Sequence, residues 1–129
     1  FFRINKIMDM NKKTLVIGAS TKPERYSNMA IRKLTNYNHE TVAFGMREGE
    51  EAGITIDTEL KQYKNIDTVT LYLNPERQEQ YYDYIIALNP KRVIFNPGTE
   101  NPEFYGLLTE NNIDFEVACT LVLLSTNQY

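Results

Sequence analysis

Cysteine and histidine each occur only once among the 129 residues. A single cysteine excludes an internal disulfide framework and is typical of a reducing compartment, so we expect a cytoplasmic protein. A single histidine disfavours a histidine-rich metal centre, and we expect no metal site. No apolar run approaches the roughly 18 to 20 residues that cross a bilayer, which argues against a membrane protein.

Basic residues are not in excess either. The chain has 14 Lys and Arg against 17 Asp and Glu, a formal net charge of −3. Nucleic-acid-binding domains usually present a basic face, so we expect no nucleic-acid partner, although a local basic pocket for a small anion fits this composition.

The length indicates one domain. The first ten residues lack the long apolar core and small-residue cleavage site of a signal peptide. We therefore predict a flexible leader over residues 1–11 and a single domain over residues 12–129.

Short apolar segments alternate with amphipathic ones along the rest of the chain. The predicted strands are residues 14–17, 40–45, 67–73, 92–95 and 113–117, with a minor strand at 54–56. Helices are expected between them and at residues 120–126, while residues 46–53 read as a flexible polar loop. This alternation predicts a Rossmann-like, doubly wound α/β fold: a mostly parallel sheet of order 3-2-1-4-5 with helices on both faces, in three layers.

Capping residues predict where the helices begin. Ser27 is expected near the N-cap of the first helix, and a short helix is expected from Asp57 or Thr58. Asn74 and Asn101 are each followed by Pro and Glu, the pattern of a capped helix start, and the helix from Asn74 is expected to continue to residue 88.

The first strand is followed by the loop Gly18-Ala-Ser-Thr-Lys-Pro23. In an open α/β sheet, nucleotide phosphates bind at the carboxyl end of this strand. Only the first glycine of the three-glycine dinucleotide pattern is present, but Ala19 and Ser20 are small enough for close backbone approach. The hydroxyls of Ser20 and Thr21 add donors, and Lys22 and Arg25 add charge, so the loop predicts an anion site.

The second strand ends in Gly45-Met46-Arg47. An NAD site usually has an acid here to bind the ribose hydroxyls, whereas arginine suits a phosphorylated ribose. NADP, phosphorylated at the 2′ position, and coenzyme A (CoA), phosphorylated at the 3′ position, both remain open. The alternative is that Arg47 is an ordinary solvated charge near Glu48, Glu50 and Glu51.

Two later strands end in Asn74-Pro75 and Asn96-Pro97-Gly98. The carboxyl ends of parallel strands meet at one edge of a sheet, so these residues are expected to form the far wall of the crevice that Gly18 opens. The alternative is that they only start helices and turns.

These residues resemble the CoA-binding domain family, in its small stand-alone YccU-like members, and more distantly the N-terminal domain of the succinyl-CoA synthetase α subunit. The similarity covers about residues 13–120. Its most specific part is Val16-Ile-Gly-Ala-Ser20 with Lys22-Pro23, Arg25 and Ser27, similar to the family opening G-A-S-x-x-x-x-R-x-S. Gly98 and Cys119 lie where the family has a late glycine and a cysteine.

The resemblance implies a Rossmann-like fold with CoA or an acyl-CoA as its ligand. The family's pyrophosphate contacts fall on Gly18, Ala19, Ser20 and Lys22. Its ribose-phosphate contact falls on Arg47, and its pantetheine side on Pro75, Pro97 and Gly98. The chain departs from the family at Leu73-Asn74, where a charged residue is common, and at Thr120, where proline is common. The full predicted set of cofactor-binding residues is Gly18, Ala19, Ser20, Thr21, Lys22, Arg25, Ser27, Gly45, Arg47, Asn74, Pro75, Pro97 and Gly98.

We predict no catalytic residues. His39 precedes the second strand and is expected at the opposite end of the sheet from Ser20 and Cys119, so no nucleophile–base pair forms. Cys119 is expected to be a packing residue, as most free cysteines are.

Three functions are therefore compatible with the sequence. A non-catalytic CoA or acyl-CoA binding module is favoured over a small NADP-binding oxidoreductase subunit and over a Rossmann-like interaction protein with a vestigial site. A homodimer and a partner enzyme subunit both remain open.

Overall fold

A computed structural model describes residues 11–129. Residues 1–10, which make up most of the predicted leader, lie outside the described residues. Asn11, also assigned to the leader, accepts a hydrogen bond from the Glu40 N–H through its side-chain oxygen, 3.0 Å away.

Seven strands form one sheet. They are β1 (Thr14–Ile17), β2 (Thr41–Phe44), β3 (Gly49–Glu51), β4 (Ile54–Asp57), β5 (Thr68–Leu71), β6 (Arg92–Phe95) and β7 (Asp114–Val117). Their order is β3-β4-β2-β1-β5-β6-β7, and every neighbouring pair is parallel except β3 with β4. The mostly parallel Rossmann-like class is confirmed.

The strand count and order differ from the prediction. An order of 3-2-1-4-5 holds only when the minor strand, β4, is counted as the third strand, because it pairs with β2. β7 then extends the sheet beyond β6, and β3 forms the opposite edge.

Residues 46–53, predicted as a flexible loop, instead contain one strand of a β-hairpin. β3 pairs antiparallel with β4, with Glu50 opposite Thr55. Ala52 and Gly53 form the turn with φ angles of 52° and 80°, the two positive values that a type I′ turn requires. The glutamates of this segment favour a solvated loop. An edge strand accommodates them as well, because it leaves a side chain such as that of Glu50 exposed to solvent.

The helices are α1 (Tyr26–Asn36), α2 (Pro75–Gln78), α3 (Tyr82–Leu88), α4 (Pro102–Glu110) and α5 (Thr120–Ser125), with a 3-10 turn at Glu79–Tyr81. The predicted helix from Asn74 to residue 88 is thus interrupted by the 3-10 turn. Asn74 and Asn101 do cap α2 and α4: their side-chain oxygens accept from the Arg77 and Phe104 N–H groups at 3.0 and 3.3 Å. None of the helices within residues 11–129 has the length and apolarity to cross a bilayer.

One helix-start prediction is wrong, and another places the first helix start within two residues. Ser27 is the buried second residue of α1, and Arg25 occupies the N-cap position. The helix begins earlier because a turn closed by the Arg25 N–H and the Lys22 carbonyl (3.0 Å) leads directly into it. No helix follows Asp57, whose carboxylate instead accepts hydrogen bonds from Tyr63 and Lys61 and holds the segment in an irregular conformation.

Alternating side chains of the strands fill two cores, one on each face of the sheet. Leu15, Ile17 and Phe95 pack in one core with residues of α3 and α4. Val16 and Ile56 pack in the other with Ile31 of α1 and Leu124 of α5. The sheet and the helices on its two faces thus form the expected three layers. The crevice opens at the carboxyl ends of the strands.

Candidate functional site

Two adjoining depressions open at the carboxyl edge of the sheet. The first, of about 290 Å³, we call the basic lobe; it is lined by Gly18, Ala19, Ser20, Thr21, Lys22, Arg25, Phe44, Gly45, Met46, Arg47, Tyr72, Leu73, Arg77 and Tyr81. The second, of about 220 Å³, we call the β5–β6 lobe; it is lined by Gly18, Ser20, Arg25, Tyr26, Ser27, Tyr72, Leu73, Asn74, Pro97, Gly98 and Thr99. Their shared residues make them parts of one crevice.

Twelve of the thirteen residues predicted to bind a cofactor line this crevice. Pro75 lines neither lobe; it is the first residue of α2, next to the capping Asn74. From the two strand-end segments chosen from the sequence, Asn74, Pro97 and Gly98 therefore line the same lobe as Gly18, and Pro75 does not.

Gly18 allows the chain to turn out of β1 at the base of the crevice. Its φ is +92°, a conformation that side chains with a Cβ rarely adopt, and a Cβ here would lie 3.0 Å from the Tyr72 carbonyl carbon. The N–H groups of Gly18 and Ala19 both donate to the Phe44 carbonyl at 3.0 Å. The turn is thus fixed between the ends of β2 and β5.

Asn28, a fully buried residue of α1, stabilises the loop after Gly18 through hydrogen bonds. The Asn28 amide donates to the Ser20 carbonyl at 2.9 Å and to the Glu51 carboxylate at 2.6 Å. Its oxygen accepts from Arg32 at 2.9 Å. The β3–β4 hairpin therefore supports the loop through Glu51, a contact that the sequence did not suggest.

The amino end of α1 opens into the crevice without a side-chain cap. Arg25 makes no capping hydrogen bond, and the first bond of the helix runs from the Met29 N–H to the Arg25 carbonyl at 3.1 Å. The preceding N–H groups of Tyr26 and Ser27, residues that line the β5–β6 lobe, remain available to an anion. α2 and α4, by contrast, are capped by asparagine.

The charges that line the crevice are all positive. Lys22, Arg25, Arg47 and Arg77 line the basic lobe, and no carboxylate lines either lobe within residues 11–129. The depression beside the β3–β4 hairpin has the opposite character, with Glu48, Glu50, Asp57 and Glu59 in its lining. In a chain of net charge −3, the crevice is a local cationic site.

Several lining residues were not predicted. They are Tyr26, Phe44, Met46, Tyr72, Leu73, Arg77, Tyr81 and Thr99. Arg77 stands one helical turn after Leu73-Asn74 and adds a positive charge to that wall. Its signal was the helix start at Asn74, which brings the following turn toward the strand ends.

Tyr72 lines both lobes, and its side chain packs against the core that contains Val16 and Leu124. Burial raises the pKa of its phenol well above the ordinary value, so the group stays neutral at physiological pH. Tyr72 therefore adds no charge to the crevice.

Cys119 and His39 both lie outside the two lobes. Cys119 is the N-cap residue of α5, after β7. His39 is buried before β2, at the opposite end of the sheet, where its Nδ1 accepts from the Lys12 N–H at 2.9 Å.

A mostly parallel sheet with a cationic crevice at its switch point is the arrangement typical of Rossmann-like nucleotide-binding domains. Residues 12–125 match the family model for the CoA binding domain, and the chain belongs to that family. No curated protein matches the chain.

Solved structures share the fold over nearly the whole chain. The crystal structure of an uncharacterized protein has a TM-score of 0.90 and 46% identity, over 92% of this chain and 98% of that chain. A hypothetical protein from Pyrococcus horikoshii OT3 has a TM-score of 0.81 and 25% identity, over 97% and 89% of the two chains. A protein from Thermus thermophilus, cell-free ID.343, has a TM-score of 0.81 and 21% identity, over 99% and 98%.

Proposed function

We propose that the protein binds coenzyme A or an acyl-CoA in this crevice, as a stand-alone and non-catalytic binding module. The observation that carries the proposal is the convergence of four cations and an uncapped helix start on one crevice, which no carboxylate of residues 11–129 lines. CoA carries a pyrophosphate and a ribose phosphate, and such groups are stabilised by helix N–H groups and by Lys and Arg side chains.

The basic lobe suits the nucleotide half of CoA. Ser20 and Lys22, with the amino end of α1 at the junction of the two lobes, would bind the pyrophosphate, and Arg47 and Arg77 would meet the ribose phosphate. Phe44 and Tyr81 pack edge to face beside them, with ring centroids 5.4 Å apart. This aromatic pair offers apolar surface for the adenine ring.

The β5–β6 lobe suits the pantetheine arm. Arg25, at its junction with the basic lobe, is its one charged lining residue within residues 11–129. Its other lining groups are small, polar or apolar, such as Ser27, Asn74 and Pro97. Such a surface fits an uncharged arm with amide and hydroxyl groups.

A non-catalytic role is proposed because the crevice lacks a general acid–base pair. Neither an imidazole nor a carboxylate lines the lobes within the described part of the chain, and Cys119 lies outside them. The residues that line the crevice are suited to holding a ligand by its phosphates.

A thermal-shift panel of CoA, acetyl-CoA, NAD and NADPH tests the proposal. A ligand at 100 times its Kd stabilises the folded state by about 2.7 kcal/mol, so CoA and acetyl-CoA should raise Tm clearly and NAD should not. A larger shift with NADPH than with CoA would favour an NADP-binding subunit instead. No shift with any of the four would favour an interaction protein with a vestigial site.

A further inference from the structure

The two walls of the β5–β6 lobe are joined behind the crevice by one side chain. Gln78, the last residue of α2, is fully buried. Its amide nitrogen donates to the Leu73 carbonyl and to the Thr99 carbonyl, each at 2.8 Å. Leu73 follows β5, Thr99 follows β6, and both line the lobe.

Gln78 is itself fixed by a second buried amide. The Asn101 side chain donates to the Gln78 oxygen at 2.9 Å and to the Tyr82 hydroxyl at 2.7 Å, while its own oxygen caps α4 at the Phe104 N–H. Gln78 and Asn101 thus use both amide protons and the amide oxygen. Such a fully satisfied buried network has one arrangement, because any shift leaves a buried polar group without a partner.

We propose that Gln78 is a positioning residue that sets the width of the β5–β6 lobe and so controls how tightly the arm of the ligand binds. Neither amide proton is left for a ligand, so Gln78 acts only through the Leu73 and Thr99 backbone. The inference rests on the proposed CoA function and deepens it, since it separates recognition of the arm from recognition of the phosphates.

Gln78→Met keeps the length and helix propensity of the side chain but removes both donors. The control is Gln80→Met, two residues along the chain at an exposed position. Calorimetry would compare two probes on wild type and both variants: CoA, and adenosine 3′,5′-bisphosphate, which carries phosphates and adenine but no pantetheine arm.

We expect Gln78→Met to weaken CoA binding about tenfold while leaving adenosine 3′,5′-bisphosphate binding unchanged, and Gln80→Met to change neither. An equal loss for both probes would mean a general structural role and would overturn the proposal, as would unchanged CoA binding.

Asn101→Asp gives a second test if Gln78→Met does not fold. Aspartate keeps an acceptor for the Phe104 N–H but loses the donor to Gln78, so the same selective loss of CoA affinity is expected. If wild type binds neither probe, the proposed function fails and this inference with it. If wild type binds CoA and adenosine 3′,5′-bisphosphate with equal affinity, the lobe contributes nothing to binding of the pantetheine arm. This inference alone then fails.

Discussion

At the scale of single residues, position rather than number of charges distinguishes the site. The chain has more acidic than basic residues, yet Lys22, Arg25, Arg47 and Arg77 line one lobe that no carboxylate lines within residues 11–129. Glu48, next to Arg47 in sequence, lines the separate acidic depression instead. The position of Arg47 in the lining of the basic lobe fits the proposed contact with a bound phosphate.

Arg47 should discriminate between CoA and 3′-dephospho-CoA. Because Arg47 is exposed, its contact with the ribose phosphate should be worth about 1 kcal/mol, or about fivefold in Kd. Wild type is expected to bind CoA more tightly than 3′-dephospho-CoA by that factor, measured by calorimetry at fixed salt.

Arg47→Ala should reduce this difference, and Lys64→Ala, which removes an exposed positive charge outside both lobes, is the control that should preserve it. Equal affinities of wild type for the two ligands would show that the ribose phosphate does not bind in the basic lobe.

At the scale of elements, the crevice depends on contacts between pieces that are distant in sequence. Thr21 lies so close to β3 that a Cβ on Gly49 would be 2.3 Å from its methyl group. Asn28 joins the same hairpin to the Ser20 carbonyl through Glu51. The loop after Gly18 is therefore packed between α1 and the β3–β4 hairpin.

Asn28→Ala should both destabilise the fold and weaken CoA binding. It leaves the Ser20 carbonyl without its donor, and a buried group that loses its partner costs about 1 to 3 kcal/mol. Urea unfolding and calorimetry would measure the two effects. Asn36→Ala, at the exposed end of α1, should leave affinity unchanged. A stable Asn28→Ala variant with wild-type affinity would show that the loop needs no support from Asn28.

At the scale of the whole molecule, the end of the sheet opposite the crevice is closed by contacts between the two ends of the described chain. The Tyr129 ring lies 4.3 Å from the Arg92 guanidinium carbon and 4.9 Å from the His39 ring centre. Its hydroxyl shares a hydrogen bond with Thr14 at 2.5 Å, and Lys12 donates to its carbonyl oxygen at 2.6 Å. These contacts join β1, β6 and the segment after α5.

His39 should make stability depend on pH in a narrow range. Burial, and then the positive charges of Lys12 and Arg92, lower the pKa of His39 below its ordinary 6.5, while Asp67 opposes them. The unfolded chain then binds the proton more readily than the folded one. The stability contributed by neutral His39 is therefore complete above pH 6.5 and is lost as pH falls toward the lowered value.

Urea unfolding between about pH 7 and 5.5 measures this loss, since most carboxylates titrate lower. His39→Gln, which keeps an acceptor for the Lys12 N–H but does not titrate, should flatten the profile. A wild-type profile that is already flat would contradict the burial of a neutral histidine.

Much of the site could be predicted from the sequence because strand ends are visible in it. Gly18, Gly45 and Gly98 mark positions where apolar segments stop, and parallel strands bring such positions to one edge. Arg77 and Gln78 could not be found in this way. Both read as ordinary residues of a surface helix, and only the packing of α2 against the loop after β6 exposes one to the crevice and buries the other.

The errors have a similar origin. The glutamates of β3 indicate a solvent-exposed segment. Both an edge strand and a loop are exposed to solvent, so the residue types do not distinguish them. The residue type of Ser27 places the helix start near it, but the turn from Lys22 to Arg25 sets the N-cap two residues earlier, at Arg25. In each case a contact from elsewhere in the fold decided between two locally acceptable structures.

Calorimetric titration of wild type and of Ser20→Trp with CoA tests the central claim most directly. Ser20 lines both lobes, so an indole at this position would fill the crevice. We predict that wild type binds CoA with one site per chain, and that Ser20→Trp shows no binding while its circular dichroism and unfolding midpoint stay close to wild type. Undiminished CoA binding by a folded Ser20→Trp variant, or no CoA binding by wild type, would contradict the account.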